Sequence, residues 1–470
     1  MLERSEALCF QSALQIAHLI ATRQITSRAV THYFLDRIAR GSELNAFTAV
    51  FAEQALAAAD AADSALEAGH PLSALHGVPV AIKDNIEIAH TPASAGSLSR
   101  LSTVSAVTST VAQRLQAAGM VILGKTQMTE FAFGLSGQNP TRGTPWNPWD
   151  TTLHRAPGGS SSGAAVAVAA GLVPVAVGGD TGGSIRAPAS LNHLVGFKPS
   201  SGVISVHGVV PLAPSLDVLG PIARDVGDAH ALTAILASPS TGSGSSVQAD
   251  LAGELVPAKP GTVFVLDQSA FPSALSVGAR RVWDQALVTL EKAGWTLQSW
   301  VPEDELNIGR LSECNSMIIA YEGYREFGHL AHDPAQPLWE VVRNRILAGA
   351  AISRDDYEHA VAQRAHAAEA FRRAIGSSGV LLMPVSGHGA LPLDDQDAAH
   401  VSIGTFSRAS NYLGTPAIAL PAGFDEAQMP IGVQLLSPVS TDMHLLNMAS
   451  AMAPALLLDE RKPELGRWGL

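Results

Sequence analysis

Cysteine, charge and basic residues are all scarce in this sequence. Of 470 residues only two are cysteine, Cys9 and Cys314. They are too few for a disulfide framework, so both are expected as buried free thiols in a reducing cytoplasm. Charged residues make up 15% against 47% hydrophobic, the reverse of what keeps a chain disordered. Lys plus Arg number 30 against 42 Asp plus Glu, a net charge of −12 with no basic run; this excludes a phosphate-tracking surface and argues against nucleic acid as a direct substrate. The longest weakly polar run, 163–179, is broken by Gly171 and Pro174 and is shorter than the ~20 residues of a membrane span. It is predicted to be a buried helix, a turn and a strand. The start, Met1 to Glu6, lacks the basic and apolar regions of a secretory signal. His154, His193 and His207 follow no metal-ligand spacing, so no metal and no cofactor are expected.

What is present alternates helix and strand. Phe10, Leu14 and Ala17 share one helical face, and so do Val30, Phe34 and Ile38. Residues 48–68 read as an Ala-rich third helix stopped by Gly69 and Pro71, so that helices precede the first strand. Strands are expected at 78–82 and 120–123, the second following a helix over 109–118, and at 262–266, 380–383, 417–420 and 431–436. Helices are expected around 282–292 and 354–374. This pattern predicts an α/β protein. Residues 138–159, rich in Pro, Gly, Asn and Trp, form a long loop of the kind that carries function.

Gly119-Met120-Val121-Ile122-Leu123-Gly124-Lys125-Thr126 fits the letters of a phosphate-binding P-loop. The context is wrong, because the middle four residues read as strand and a helix precedes them, whereas a P-loop follows a strand and opens a helix. The informative elements are Pro157-Gly158-Gly159-Ser160-Ser161-Ser162-Gly163 and Gly178-Gly179-Asp180-Thr181-Gly182-Gly183-Ser184-Ile185-Arg186-Ala187-Pro188. Glycine lets backbone amides converge on a small space, so Thr181, Gly182, Gly183 and Ser184 could surround a developing oxyanion with the Ser184 hydroxyl beside it as nucleophile. Serine needs a base, and no His falls in either element. A lysine neutralised by burial can serve instead. Lys83, closing an apolar strand, is the candidate.

Taken together, these residues resemble the amidase signature family of serine hydrolases. The similarity runs from Gly77–Asn85 through Gly124–Ala132, Asn147–Asp150 and both serine elements to Gly196–Pro199 and Ser215–Asp217, with weaker likeness at Leu413–Pro416 and Pro430–Gln434. It implies a Ser-cisSer-Lys triad of Ser184 as nucleophile, Ser160 as bridging serine after a cis Gly159-Ser160 peptide, and Lys83 as base. Asp180 and Arg186 resemble partners that hold the nucleophile turn. The resemblance implies a single α/β/α domain over 1–470 with a mixed central sheet between helices. Its N-terminal helices would occupy 1–70, the signature core 71–235, a flexible surface connection 236–250, and 251–470 would complete the sheet and substrate pocket. The implied reaction is hydrolysis of a small-molecule carboxamide to acid plus ammonia or amine through an acyl-enzyme. Met128 and Phe133, with Phe131 and Trp146 beside them, and Tyr321 and Arg325 in the 315–325 stretch, are carried as pocket candidates. A homodimer is carried as the candidate assembly.

Two other readings stand beside this one. The first is the amidase-like glutaminase subunit of a tRNA-dependent amidotransferase, which would use the same triad to release ammonia for a partner. Ala187, where that subunit typically has Gln, and Cys314-Asn315-Ser316-Met317, where it has a Ser-Ser-Asn-Leu-type stretch, count against it. The second is a non-catalytic scaffold, which would not require Lys83, Ser160 and Ser184 together.

Overall fold

Val80-Ala81-Ile82 is apolar at three consecutive positions, which suits a strand buried on both faces rather than one with a solvent side. In the computed structural model, which describes residues 8–237, 246–394, 403–457 and 461–470, that strand is the second of eleven. The strands are β1 (Phe47–Val50), β2 (Pro79–Lys83), β3 (Val121–Thr126), β4 (Ala176–Asp180), β5 (Val195–Lys198), β6 (Val218–Ala223), β7 (Thr262–Leu266), β8 (Thr296–Trp300), β9 (Leu381–Pro384), β10 (Ala417–Phe424) and β11 (Pro430–Leu436). Among the described residues they form one mixed sheet in the order β1-β3-β2-β4-β6-β5-β10-β11-β9-β7-β8, with helices on both faces. Both halves of the chain contribute strands, joined where β5 pairs with β10.

β2 runs parallel to both β3 and β4. Parallel neighbours finish at the same edge of a sheet, so Lys83 and Asp180, the last residues of β2 and β4, emerge together. Between β3 and β4 lie the 138–159 loop and the helix Ser162–Ala169, every residue of which is buried. That helix is apolar all round because it is enclosed by the sheet and its neighbours rather than lying half in water.

Three sequence expectations change. The expected helix over 48–68 begins at Ala52, because Phe47–Val50 pairs antiparallel with β3 as an edge strand; a helix therefore does not occupy the whole segment before the first strand. Thr48 and Val50 are β-branched, and the ladder available on β3 outweighs the helical preference of the alanines beyond them. The face shared by Phe10, Leu14 and Ala17 is not a single helical face. Ser12 caps a helix that starts at Ala13, and Ala13, Ile16, Ala17 and Ile20 are buried while Leu14 is exposed. In the helix Ser27–Arg40, by contrast, Val30, Phe34 and Ile38 are buried as the spacing predicts. The expected connection 236–250 is shorter: Leu236 closes the helix Val226–Leu236 and Ser246–Leu251 is helical, while 238–245 lie outside the described residues.

The P-loop letters fall as their context predicts, with the helix Thr110–Ala117 preceding and 121–126 forming β3. Lys125 is buried there, its Nζ donating to the carbonyl of Pro92 at 2.5 Å. Cys9 is buried, but Cys314 is only partly so. Among the described residues no helix is long and apolar enough to cross a membrane.

Candidate active site

The edge where β2 and β4 finish assembles the serine elements. Lys83 is 1% exposed, and its Nζ lies 2.7 Å from Ser160 Oγ and 3.4 Å from the carbonyl of Gly179. Burial drives its ammonium down to about 7, against the opposing pull of the Asp217 and Asp180 charges. A lysine in that condition is neutral in a large fraction of molecules near neutral pH and can accept a proton. The Gly159-Ser160 peptide is cis. The carbonyl of Ser160 accepts the N–H of Thr129 at 3.1 Å, and the Ser161 N–H donates to the carbonyl of Ser184 at 3.3 Å, so the two serine elements are tied to one another.

Gly159-Ser160-Ser161-Ser162-Gly163 also spells the Gly-x-Ser-x-Gly pattern of a strand-to-helix nucleophile elbow. Its central Ser161 is buried, and its Oγ is engaged by both the N–H and the carbonyl of Gly179 at 3.2 Å. It braces β4 against the serine loop instead of presenting a nucleophile.

The turn after β4 is organised by one carboxylate. Asp180 accepts the N–H of Gly183 at 2.7 Å and of Ile185 at 3.0 Å, while Arg186 grips it through Nε and Nη2, each at 3.1 Å. The remaining Arg186 donors reach the Ser407 carbonyl, Gln434 and Asn411, and Asn411 Nδ2 returns to Asp180 at 2.9 Å. The pair is completely buried. Burial alone would raise the Asp180 pKa, but the Arg186 charge and hydrogen bonds, helped by Lys198, hold its carboxyl well below the usual range. An ion pair so enclosed persists only because every donor has an acceptor.

This capping alters one expectation. The Gly183 N–H is committed to Asp180, which removes it from the four amides expected around an oxyanion; among the described residues no such bond engages the amides of Thr181, Gly182 or Ser184. Gly183 serves the turn in another way. Its φ of +118° is closed to other residues, and a Cβ there would lie 2.7 Å from Ser407 Cβ. Thr181 is held from the opposite side, its Oγ1 donating to Asp217 at 2.5 Å, while Asp217 also accepts the Leu212 and Ala213 amides. Burial raises the Asp217 carboxyl to about 6, against these bonds and the Lys83 charge.

Ser184, 3% exposed, opens with Thr181 and Gly182 onto a cavity of about 520 Å³. Phe133 lines it, as the sequence reading expects. Met128, Tyr321 and Arg325 do not. Met128 is fully buried in a core cluster with Phe131 and Phe327, behind the wall. The helix Ile308–Ala331 turns Ser316, Ile319 and Ala320 to the cavity. At 100° per residue Tyr321 and Arg325 then point away, Tyr321 stacking on Tyr357 with centroids 4.2 Å apart and Arg325 lying exposed.

The sequence reading also missed Arg345, Arg408 and His388 in the lining. Arg345 Nη1 donates to the carbonyl of Phe133 at 2.5 Å. Burial, then the charge of Arg345, lowers the Arg408 pKa to about 10. None of the three belongs to a motif, since each comes from a separate segment brought in by the fold.

A family model described as Amidase matches residues 29–446. The chain is 34% identical to a glutamyl-tRNA(Gln) amidotransferase subunit of Cupriavidus metallidurans over 96% of this chain and 98% of that protein. It is 35% identical to the same subunit of Ralstonia nicotianae, over 94% and 97%. Among solved structures it is similar to an amidase with a TM-score of 0.84 at 30% identity, covering 95% of this chain and 100% of the other. It is also similar to the native peptide amidase of Stenotrophomonas maltophilia, with a TM-score of 0.81 at 25% identity over 97% and 98%.

Proposed function

The chain belongs to the amidase family, and from that premise we propose that it cleaves a carboxamide C–N bond through an acyl-enzyme on Ser184. The observation that carries the reading is the buried Lys83 Nζ at 2.7 Å from Ser160 Oγ, on the same sheet edge as the turn that bears Ser184. Neutral Lys83 takes the Ser160 proton while Ser160 takes that of Ser184, and Ser184 Oγ attacks the amide carbon. The amides of Thr181, Gly182 and Ser184 face the oxyanion as it forms. Ser160 then gives its proton to the departing nitrogen and is reprotonated by the Lys83 ammonium, so that the C–N bond breaks, ammonia or amine leaves, and Lys83 is neutral again. Water repeats the relay, adding to the acyl carbon and freeing Ser184 and the acid.

Two settings use this chemistry. As a free-standing amidohydrolase the chain would act on a small-molecule amide by itself, a reading supported by its likeness to solved amidases. As the glutaminase subunit of a tRNA-dependent amidotransferase it would release ammonia from glutamine for a partner. The full-length similarity to the glutamyl-tRNA(Gln) amidotransferase proteins favours that second reading, while Ala187 and the Cys314–Met317 stretch remain departures from their pattern. On balance the sequence relatives weigh toward the amidotransferase component.

The deciding experiment measures ammonia release by the purified chain from a panel of primary amides, glutamine included, with and without the other subunits of the amidotransferase and glutamyl-tRNA. Release from simple amides by the chain alone supports the amidohydrolase. Glutamine-specific release that appears only with the partners supports the amidotransferase component. Equal release by wild type and Ser184→Ala would sink the shared mechanism.

A further inference from the structure

His388 lines the same cavity as Ser184 and Thr181 yet belongs to no motif and takes no part in the relay. It is 9% exposed, and its Nε2 is a buried nitrogen without a hydrogen-bond partner among the described residues. The other ring nitrogen decides what Nε2 can do. Nδ1 lies 2.6 Å from the carbonyl oxygen of Gly389. A carbonyl only accepts, so Nδ1 carries the proton, and in the neutral ring Nε2 is left with a lone pair. Burial lowers the pKa of this imidazole, against the Gly389 bond and the Asp425 charge, which keeps the ring neutral.

The segment that bears it is held in place. The His388 N–H donates to Ser386 Oγ at 3.3 Å, and Arg155 Nη1 donates to the carbonyl of Ala390 at 3.1 Å. The acceptor is therefore presented by a braced loop following β9, and not by a side chain free to turn toward solvent. A buried acceptor left unmatched is unfavourable until a donor meets it, so such an atom in a cavity wall selects ligands that bring one.

We propose that Nε2 of His388 accepts a hydrogen bond from an N–H or O–H of the bound amide and so acts as a specificity determinant for substrates carrying a donor at that point. This rests on the reading of the cavity as an amide-binding site. The donor is either the carboxamide N–H itself or a hydroxyl or amino group on the acyl chain.

The test compares kcat/KM for amides that differ by methylation of one donor. Lactamide against its O-methyl ether alters an acyl-side O–H, and propionamide against N,N-dimethylpropionamide removes the amide N–H. For the pair that faces His388, wild type loses roughly 10- to 100-fold on methylation. His388→Leu loses a similar factor on the parent amide and treats both members alike, and His388→Gln, which keeps an acceptor, retains part of the preference. A preference that survives in His388→Leu, or wild type with no preference in either pair, overturns the proposal; the latter is the result expected if only water meets Nε2. Should wild type turn over none of these amides, the hydrolase reading fails separately. The acceptor is then read in Ser184→Ala protein labelled with 15N-histidine, where lactamide, propionamide or L-glutamine must shift the His388 Nε2 resonance toward its hydrogen-bonded position. A resonance unmoved by all three overturns the proposal.

Discussion

Lys83 and Ser160 meet at 2.7 Å although 77 residues separate them in the chain. One closes a central strand and the other precedes a helix packed beside it, so their contact depends on the parallel pairing of β2 with β4. Since burial brings the Lys83 ammonium down to about 7, turnover is expected to rise with pH through about 7 and level off above it, because only the neutral amine accepts the Ser160 proton. Lys83→Met should lower kcat by at least ~100-fold across the whole profile. A pH–rate profile of both proteins checks this, and an unchanged profile in the variant would remove Lys83 from the relay.

The Asp180–Arg186 pair predicts an acid sensitivity. The Asp180 carboxyl is held below its ordinary value, so the stability it contributes is fully present above about 4 and is lost as pH falls through the lower folded value. Arg186→Gln leaves that carboxylate buried without its cation and should destabilise by about 3–5 kcal/mol. Denaturant unfolding at neutral pH measures the loss. Acid titration should place the variant's unfolding transition at higher pH than wild type's.

Gly323 sets the position of a cavity wall. A Cβ there would come within 2.2 Å of Phe133 Cζ, so Gly323→Ala must displace a ring that lines the site. We expect a destabilisation of about 1–3 kcal/mol together with a changed ratio of kcat/KM between short and long acyl chains. A variant with the wild-type substrate ranking would show that Phe133 does not bound the acyl group.

Tyr321 and Arg325 lie outside the cavity, one stacked on Tyr357 and the other exposed. Tyr321→Ala should lower stability by about 0.5–1.5 kcal/mol through the lost stacking while kcat/KM stays close to wild type. Arg325→Ala should change neither measurement. Selective loss of turnover in either variant would restore that side chain to the substrate site.

Much of this arrangement is legible in the residues themselves. The apolar run ending in Lys83, the two Gly-Gly-Ser elements and the small-residue helix between them are local patterns, and a local pattern survives translation into structure when its neighbours agree with it. The strand at 47–50 was not legible because its partner, β3, lies more than seventy residues later, and the alanines that follow it advertise helix. Residues 315–325 show the same limit. Sequence marked the helix as near the site, but only its packing decided that Ser316, Ile319 and Ala320 turn inward while Tyr321 and Arg325 turn out.

The sequence by itself determined the α/β alternation and the family resemblance, since these follow from residue type and short-range spacing; the roles proposed for Ser184, Ser160 and Lys83 rest on that resemblance. Tertiary structure alone decided that the Gly183 amide is spent on Asp180, and that Arg345, Arg408 and His388, from three distant segments, share one cavity wall. The physical reason is that hydrogen-bond partnership and burial are properties of atoms brought within a few ångströms. Chain separation carries no information about which atoms those will be until the sheet order is established.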